Sequence, residues 1–155
     1  MTLDLPGTQD RSELRRLVIG AAMRDSIIAH LSNALPDEGC GLIAGALGHD
    51  GSFEATRFFP GQNVDRSPTR FTMDGAEVVA AFREMRESGL DLGAIVHSHP
   101  ASPAEPSPTD VRESYYPHAL AVIVSFQAAQ AEFRAWKWLP EQAQRRFEEC
   151  PVVVR

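Results

Sequence analysis

A run of apolar residues, Leu92 to Val96, breaks off in His97-Ser98-His99-Pro100, and this junction limits the folds open to the 155-residue chain. A run this short, bounded by a proline, reads as a buried strand rather than a helix. Proline cannot donate to a sheet ladder, so the strand stops there. Residues two apart in an extended segment point to the same side, with Cα atoms roughly 6.5–7 Å apart at about 3.3 Å per residue. His97 and His99 therefore share a side, and their imidazoles can converge on one ion with Zn–N bonds of about 2.0–2.1 Å. A useful fold must bring a further donor to this strand end.

The next donor in the chain is Asp110, in Ser107-Pro108-Thr109-Asp110, after a seven-residue spacer of residues 100–106. The tetrapeptide has two readings. It is a helix start, with Ser107 as N-cap, Pro108 at the first helical position and Asp110 in a capping-box arrangement. It is equally a source for the third metal ligand, leaving a fourth position for water, which separates a catalytic zinc site from a closed structural one. The two are compatible, because a helix N-terminus favours the ionised carboxylate that a metal needs. Cysteine offers no alternative: Cys40 and Cys150 form no CxxC pair, so a zinc ribbon is excluded on ligand count, and both are expected as free thiols.

The rest of the chain predicts a layered α/β domain with a mixed, mostly antiparallel sheet flanked by about three helices. Residues 14–20 read as a strand and 21–35 as an amphipathic helix carrying Ala22, Ile27, Ile28, Leu31 and Leu35, stopped by Pro36. Residues 39–47 and 52–59 form a hairpin about GlyHisAspGly, and Arg70–Met73 a short strand. Asp74 caps a helix through about Ser88, ended by Gly89, with Val78, Val79, Phe82 and Met85 as its apolar stripe. A short helix runs from Ser107 to about Tyr115, and residues 119–125, 131–139 and 146–154 supply the last strands. Residues 1–12 are polar, contain a Pro-Gly pair and are expected to be mobile; 13–155 are expected to form one domain. The proline-rich stretch Pro100–Pro108 is a shaped loop inside that domain rather than a linker, and the sequence does not reveal whether its Pro100–Pro106 part gates the site.

Charge and hydropathy narrow the partners. A formal charge of -6 offers no broad positive field for phosphates, so nucleic acid is not an expected partner. No apolar stretch approaches the roughly 20 residues of a membrane helix, and the N-terminus lacks a secretion-signal pattern, which predicts a cytoplasmic protein with no membrane partner.

Glu38, His97, His99, Ser107 and Asp110 together resemble the JAMM motif of the MPN+ (JAB-domain) metalloproteases: a Glu, then His-x-His, seven residues, Ser, two residues, Asp. GluGlyCysGlyLeuIleAlaGly and AsnValAspArgSerProThrArgPheThrMet are also similar to segments of the small bacterial members, so the resemblance spans about residues 14–125. It implies an MPN/JAB fold with cytidine-deaminase-like layering and one Zn²⁺ per chain held by His97, His99, Asp110 and a water. It further implies Glu38 as general base, passing its proton to the leaving amine, and Ser107 as hydrogen-bond donor to the oxyanion, with no covalent acyl-enzyme. The implied substrate is the flexible Gly-Gly tail of a ubiquitin-like or sulfur-carrier protein, bound as an added strand and losing an amino acid such as cysteine or a short extension. Asn63 and the Ser67-Pro68 turn match segments near the tail groove, which makes Asn63 a candidate substrate contact.

Each residue also has a bland reading. Glu38 alone is an ordinary surface acid after a proline turn. Cys40 sits close enough to approach the metal, but on a small-residue strand it reads as a buried thiol. Ser98 points away from the histidines and satisfies backbone; Trp136 and Trp138 read as sheet packing; His30, His49 and His118 have no ligand-like neighbour. Two rival functions use the same features. One is a non-catalytic interaction module, for which the complete residue set has no use; the other is a RadC-like, DNA-repair-associated protein, whose His-Asn-His-Pro-Ser-Gly this sequence does not reproduce.

Overall fold

The computed structural model describes residues 13–112, 116, 118–139 and 146–155. Its elements follow in the order β1 (Arg16–Ile19), α1 (Ala21–Ala34), β2 (Cys40–Leu47), β3 (Ser52–Gly61), α2 (Gly75–Ser88), β4 (Asp91–His99), α3 (Pro108–Arg112), β5 (Leu120–Ser125), β6 (Glu132–Leu139), β7 (Arg146–Cys150) and β8 (Val152–Val154). All eight strands join one sheet, ordered β7-β6-β5-β4-β2-β3-β1-β8. Four of its pairings are antiparallel and three, β1 with β3, β1 with β8 and β4 with β5, are parallel. This is the mixed, mostly antiparallel α/β architecture expected from the sequence.

Alternation along the central strands sorts side chains into two cores. Ala94 and Val96 of β4 join Val122, Val124, Ile43 and Phe53 beneath Ile27 and Leu31 of α1. On the opposite face Leu42 and Leu92 pack under Ala81, Phe82 and Met85 of α2. His97 and His99 project on the α2 side, because they continue the alternation from Ile95. The helix is delimited as its sequence dictates. Asp74 Oδ2 accepts the Glu77 N–H at 3.2 Å, and Gly89 adopts φ +68°, the left-handed conformation that ends a helix most easily with glycine.

Several expectations are corrected. Arg70–Met73 is not a strand; it makes only an isolated bridge, Asn63 with Met73, because the segment curls around the Asn63 amide. Val79 is 58% exposed, and Ala81 takes its place in the buried stripe of α2. Leu35 lies beyond α1 and is exposed, as is Ala22. β1 begins at Arg16, and β4 extends through both histidines rather than stopping before them. The expected strand at 146–154 divides at Pro151: β7 pairs with β6 and β8 with β1, at opposite ends of the strand order. The sheet thus curls until one bent strand spans its two edges, with Pro151 O accepting the Leu17 N–H at 2.9 Å at the bend. Tyr115, the expected end of the last helix, and residues 1–12 lie outside the described residues.

Candidate metal centre

His97 and His99 end β4, between β2 and β5, where register pairs His97 with Cys40 and Ile123, and His99 with Ser125. Each is 3% exposed. Asp110 reaches them from α3, and the helix-start geometry holds it there: its Oδ2 accepts the Ser107 N–H at 2.8 Å while Ser107 Oγ accepts the Asp110 N–H at 3.1 Å. Cap and ligand candidate are the same side chain, so the two sequence readings describe one arrangement.

The three donor groups face one another at close range, each histidine meeting a different oxygen of Asp110. His97 Nε2 lies 3.1 Å from His99 Nε2 and 3.2 Å from Asp110 Oδ1, and His99 Nε2 lies 3.1 Å from Asp110 Oδ2. Tetrahedral ligands at about 2.0–2.1 Å from an ion stand about 3.3 Å from each other, and the 3.1 Å between the two Nε2 atoms is close to that spacing. The second ring nitrogen of His99 fixes its tautomer. Nδ1 donates to Pro103 O at 2.7 Å, which leaves Nε2 of the neutral ring as a bare lone pair. Lone pairs converging with a carboxylate repel unless a cation or a proton lies among them.

The electrostatics agree. Burial acts to keep His99 neutral, but the Asp110 hydrogen bond, the Pro103 carbonyl and the Asp110 and Glu38 charges outweigh it and raise its pKa. Burial likewise opposes ionisation of Asp110, yet hydrogen bonds from His97 and His99 hold its carboxyl far below the usual range. The centre is built to attract positive charge. Phe71 stacks on the His97 ring at 4.7 Å between centroids, covering it from solvent.

The loop of residues 100–106 backs His99 and is pinned at several points. Ser125 Oγ donates to Ser102 O at 2.6 Å, Trp136 Nε1 donates to Ala104 O at 2.9 Å, and Arg134 lies 3.4 Å from Glu105. The loop therefore forms a wall that orients the ring through Pro103.

Glu38 precedes β2 and is 3% exposed, which the surface-acid reading does not allow. Its neighbour Gly39 is tied to the residue between the two histidines: Gly39 N–H donates to Ser98 Oγ at 2.8 Å, and Ser98 N–H to Gly39 O at 3.1 Å. A larger residue would be crowded there, since a Cβ would stand 2.9 Å from Leu31 Cδ2 and 3.1 Å from Leu31 Cα. Ser98 thus satisfies backbone, as its orientation predicted, and in doing so anchors Glu38 beside the histidines.

Asn63 lies in the loop beside Glu38, its amide nitrogen 3.0 Å from Glu38 O. His30 is engaged elsewhere, its Nε2 lying 3.0 Å from Cys40 O and 3.1 Å from Gly61 O, and His49 and His118 are exposed. Cys40 is not among the clustered donors, and burial, with the charges of Glu77 and Glu38, pushes its thiol up to about 12. The stacking of Phe71 and the Pro103 carbonyl were not read from the sequence, although Phe71 lies in the 63–73 segment that resembles the family. From the donors a groove of about 360 Å³ runs across the α2 face of the sheet, lined by Phe71, Met73, Val78, Phe82, Ile95 and Tyr116 among others.

Comparison with known proteins places this geometry in context. The family model described as prokaryotic homologs of the JAB domain matches residues 20–139. The CysO-cysteine peptidase of Mycobacterium tuberculosis is 38% identical over 109 residues, covering 70% of this chain and 73% of that protein. The desampylase of Haloferax volcanii is 29% identical over 144 residues, covering 90% and 96%. A solution structure from Desulfitobacterium hafniense superposes with a TM-score of 0.78 at 28% identity, covering 90% of this chain and 92% of that one.

Proposed function

The chain belongs to the family of prokaryotic JAB-domain homologues, and on that premise we propose that it is a zinc-dependent peptidase acting at the C-terminal tail of a ubiquitin-like or sulfur-carrier protein. The observation that carries the reading is the cluster of His97, His99 and Asp110, whose nitrogens and carboxylate oxygens lie 3.1–3.2 Å apart, with the far nitrogen of His99 committed to a carbonyl. These three side chains would hold one Zn²⁺ per chain, as the relatives' peptidase activities favour. Bound zinc would supply Lewis acidity and bring the pKa of its water towards about 7.

The protein's own groups do the remaining work. Glu38 takes the proton that the attacking water loses and delivers it to the leaving amine, so that the amine departs neutral. Ser107 donates its hydroxyl hydrogen to the oxygen of the attacked carbonyl as negative charge develops there. The groove supplies an apolar floor along which an extended tail lies with its scissile bond at the donors. The unit proposed to carry this activity is residues 13–155, whose strands share a single sheet. Among the described residues no helix is long and apolar enough to cross a membrane. The complete set of Glu38, Ser107 and three donors favours catalysis over a scaffold role.

The test is to incubate the zinc-loaded protein with carriers bearing a Gly-Gly tail extended by cysteine or a short peptide, and to weigh the products. Loss of the extension is expected, and Glu38→Gln should abolish it while keeping about one zinc per chain, because the change removes a base and no ligand. Intact carriers with the wild-type protein would overturn the substrate assignment; full turnover by Glu38→Gln would reassign the base.

A further inference from the structure

Glu38 lies outside the sheet ladder, so its backbone N–H and C=O need partners that no strand provides. Both come from one loop, the segment between β3 and α2. Glu38 N–H donates to Ser67 O at 2.8 Å, and Glu38 O accepts from Asn63 Nδ2 at 3.0 Å. Asn63 Nδ2 also donates to Arg70 O at 3.1 Å, and Asn63 Oδ1 accepts the N–H of Asp65 at 3.0 Å and of Thr72 at 3.1 Å. The amide orientation is unambiguous, since oxygen faces two N–H groups and nitrogen two carbonyls. An Asn side chain has two donors and two acceptor sites, and here every one is used. Nothing is left over to recognise a substrate.

We infer that Asn63 is a positioning residue: it closes the loop of residues 63–72 on itself and clamps that loop to the backbone of Glu38, holding the proposed base beside the donors. This rests on the peptidase reading for its functional consequence, though the clamp itself does not. The same loop touches the centre a second time through Phe71, stacked on His97 at 4.7 Å, and it lines the groove. Base, ligand and groove wall are therefore held in register by one amide. On the other flank Ser98 holds Gly39, so the Glu38–Gly39 segment is gripped from both sides and only the Asn63 grip belongs to the groove. The sequence expectation of a direct tail contact gives way to an indirect role.

Asn63→Asp tests this, because it keeps the two accepted bonds and removes the two donated ones. In the zinc-loaded full chain, exchange of the Glu38 amide, followed by NMR, should quicken at least tenfold while amides within β4 stay within twofold. Zinc content should not change. With a tail substrate, kcat should fall at least tenfold because the base is misplaced, and any rise in KM from the groove wall that the same amide holds should be the smaller effect. Asn63→Ser, which adds no charge but cannot reach Glu38 O, should behave the same way and guards against a folding defect peculiar to the new carboxylate. Unchanged exchange at Glu38 in both variants would overturn the inference, as would a raised KM at constant kcat, the mark of a direct substrate contact. If the wild type cleaves no tail, the peptidase reading fails, and the exchange measurement still decides whether Asn63 holds Glu38.

Discussion

At His99 one ring nitrogen dictates the use of the other: with Nδ1 donating to Pro103 O, Nε2 carries the lone pair in the neutral ring and the proton in the charged one. The raised pKa of this ring sets a pH dependence whose sign differs between the metal-free and metal-loaded protein. Protons compete with the ion for Nε2, so zinc content should be full on the alkaline side and fall as pH drops towards about 6.5, the value of an ordinary imidazole. In the metal-free chain the charged contact of His99 with the depressed Asp110 adds stability below the unfolded imidazole value, and loses it as pH rises through the higher folded one. As pH falls, that contribution persists until Asp110 itself is protonated, well below the ordinary carboxyl value. With chelator present, the melting difference between wild type and Asp110→Asn should accordingly be larger at pH 6 than at pH 8.5; the reverse order would show that the two groups are not paired without metal. Much of this centre was legible in the sequence, because period-two spacing and a helix start are local patterns. The roles of Asn63, Phe71 and Pro103 were not, since each depends on contacts between segments whose distance in space no local pattern records.

Among the elements, the segment before β2 is the one whose tolerance is smallest. Gly39→Ala would drive a Cβ to 3.1 Å from the Leu31 backbone Cα, which belongs to α1 and cannot rotate away. The expected cost is about 1–3 kcal/mol in denaturant unfolding, as for other overpacked sites, with a fall in turnover because Glu38 moves with its neighbour. Wild-type stability in that variant would mean that α1 sits further from β2 than described. Helix α2 was readable from both ends, since Asp74 and Gly89 are local signals, whereas its buried stripe was misread by one position: Val79 satisfies helical spacing but faces solvent, and Ala81, small and weakly apolar, lies beneath. Arg70–Met73 has the composition of a strand, yet the Asn63 amide captures the Thr72 N–H that a ladder would have used. In both places a tertiary partner overrode a local preference.

For the molecule as a whole, the consequential feature is the strand bent at Pro151, which pairs with β6 on one side and β1 on the other. Periodicity predicted a strand across 146–154 but could not show that its halves serve opposite edges, because strand order is set by long-range pairing. Removing residues 152–155 should expose the outer edge of β1, lower the thermal midpoint and promote self-association, read by light scattering. An unchanged midpoint and monodisperse scattering would show that β8 contributes nothing to closure. The central claim concerns what this closed sheet presents at the end of β4: three light-atom donors around one ion with a place for solvent. X-ray absorption at the zinc edge tests it most directly. One zinc per chain with four nitrogen or oxygen neighbours at about 2.0–2.1 Å is the predicted result. A sulfur neighbour at about 2.3 Å, which among these residues would be Cys40, or a zinc shell that survives loss of His97 and His99 unchanged, would contradict it.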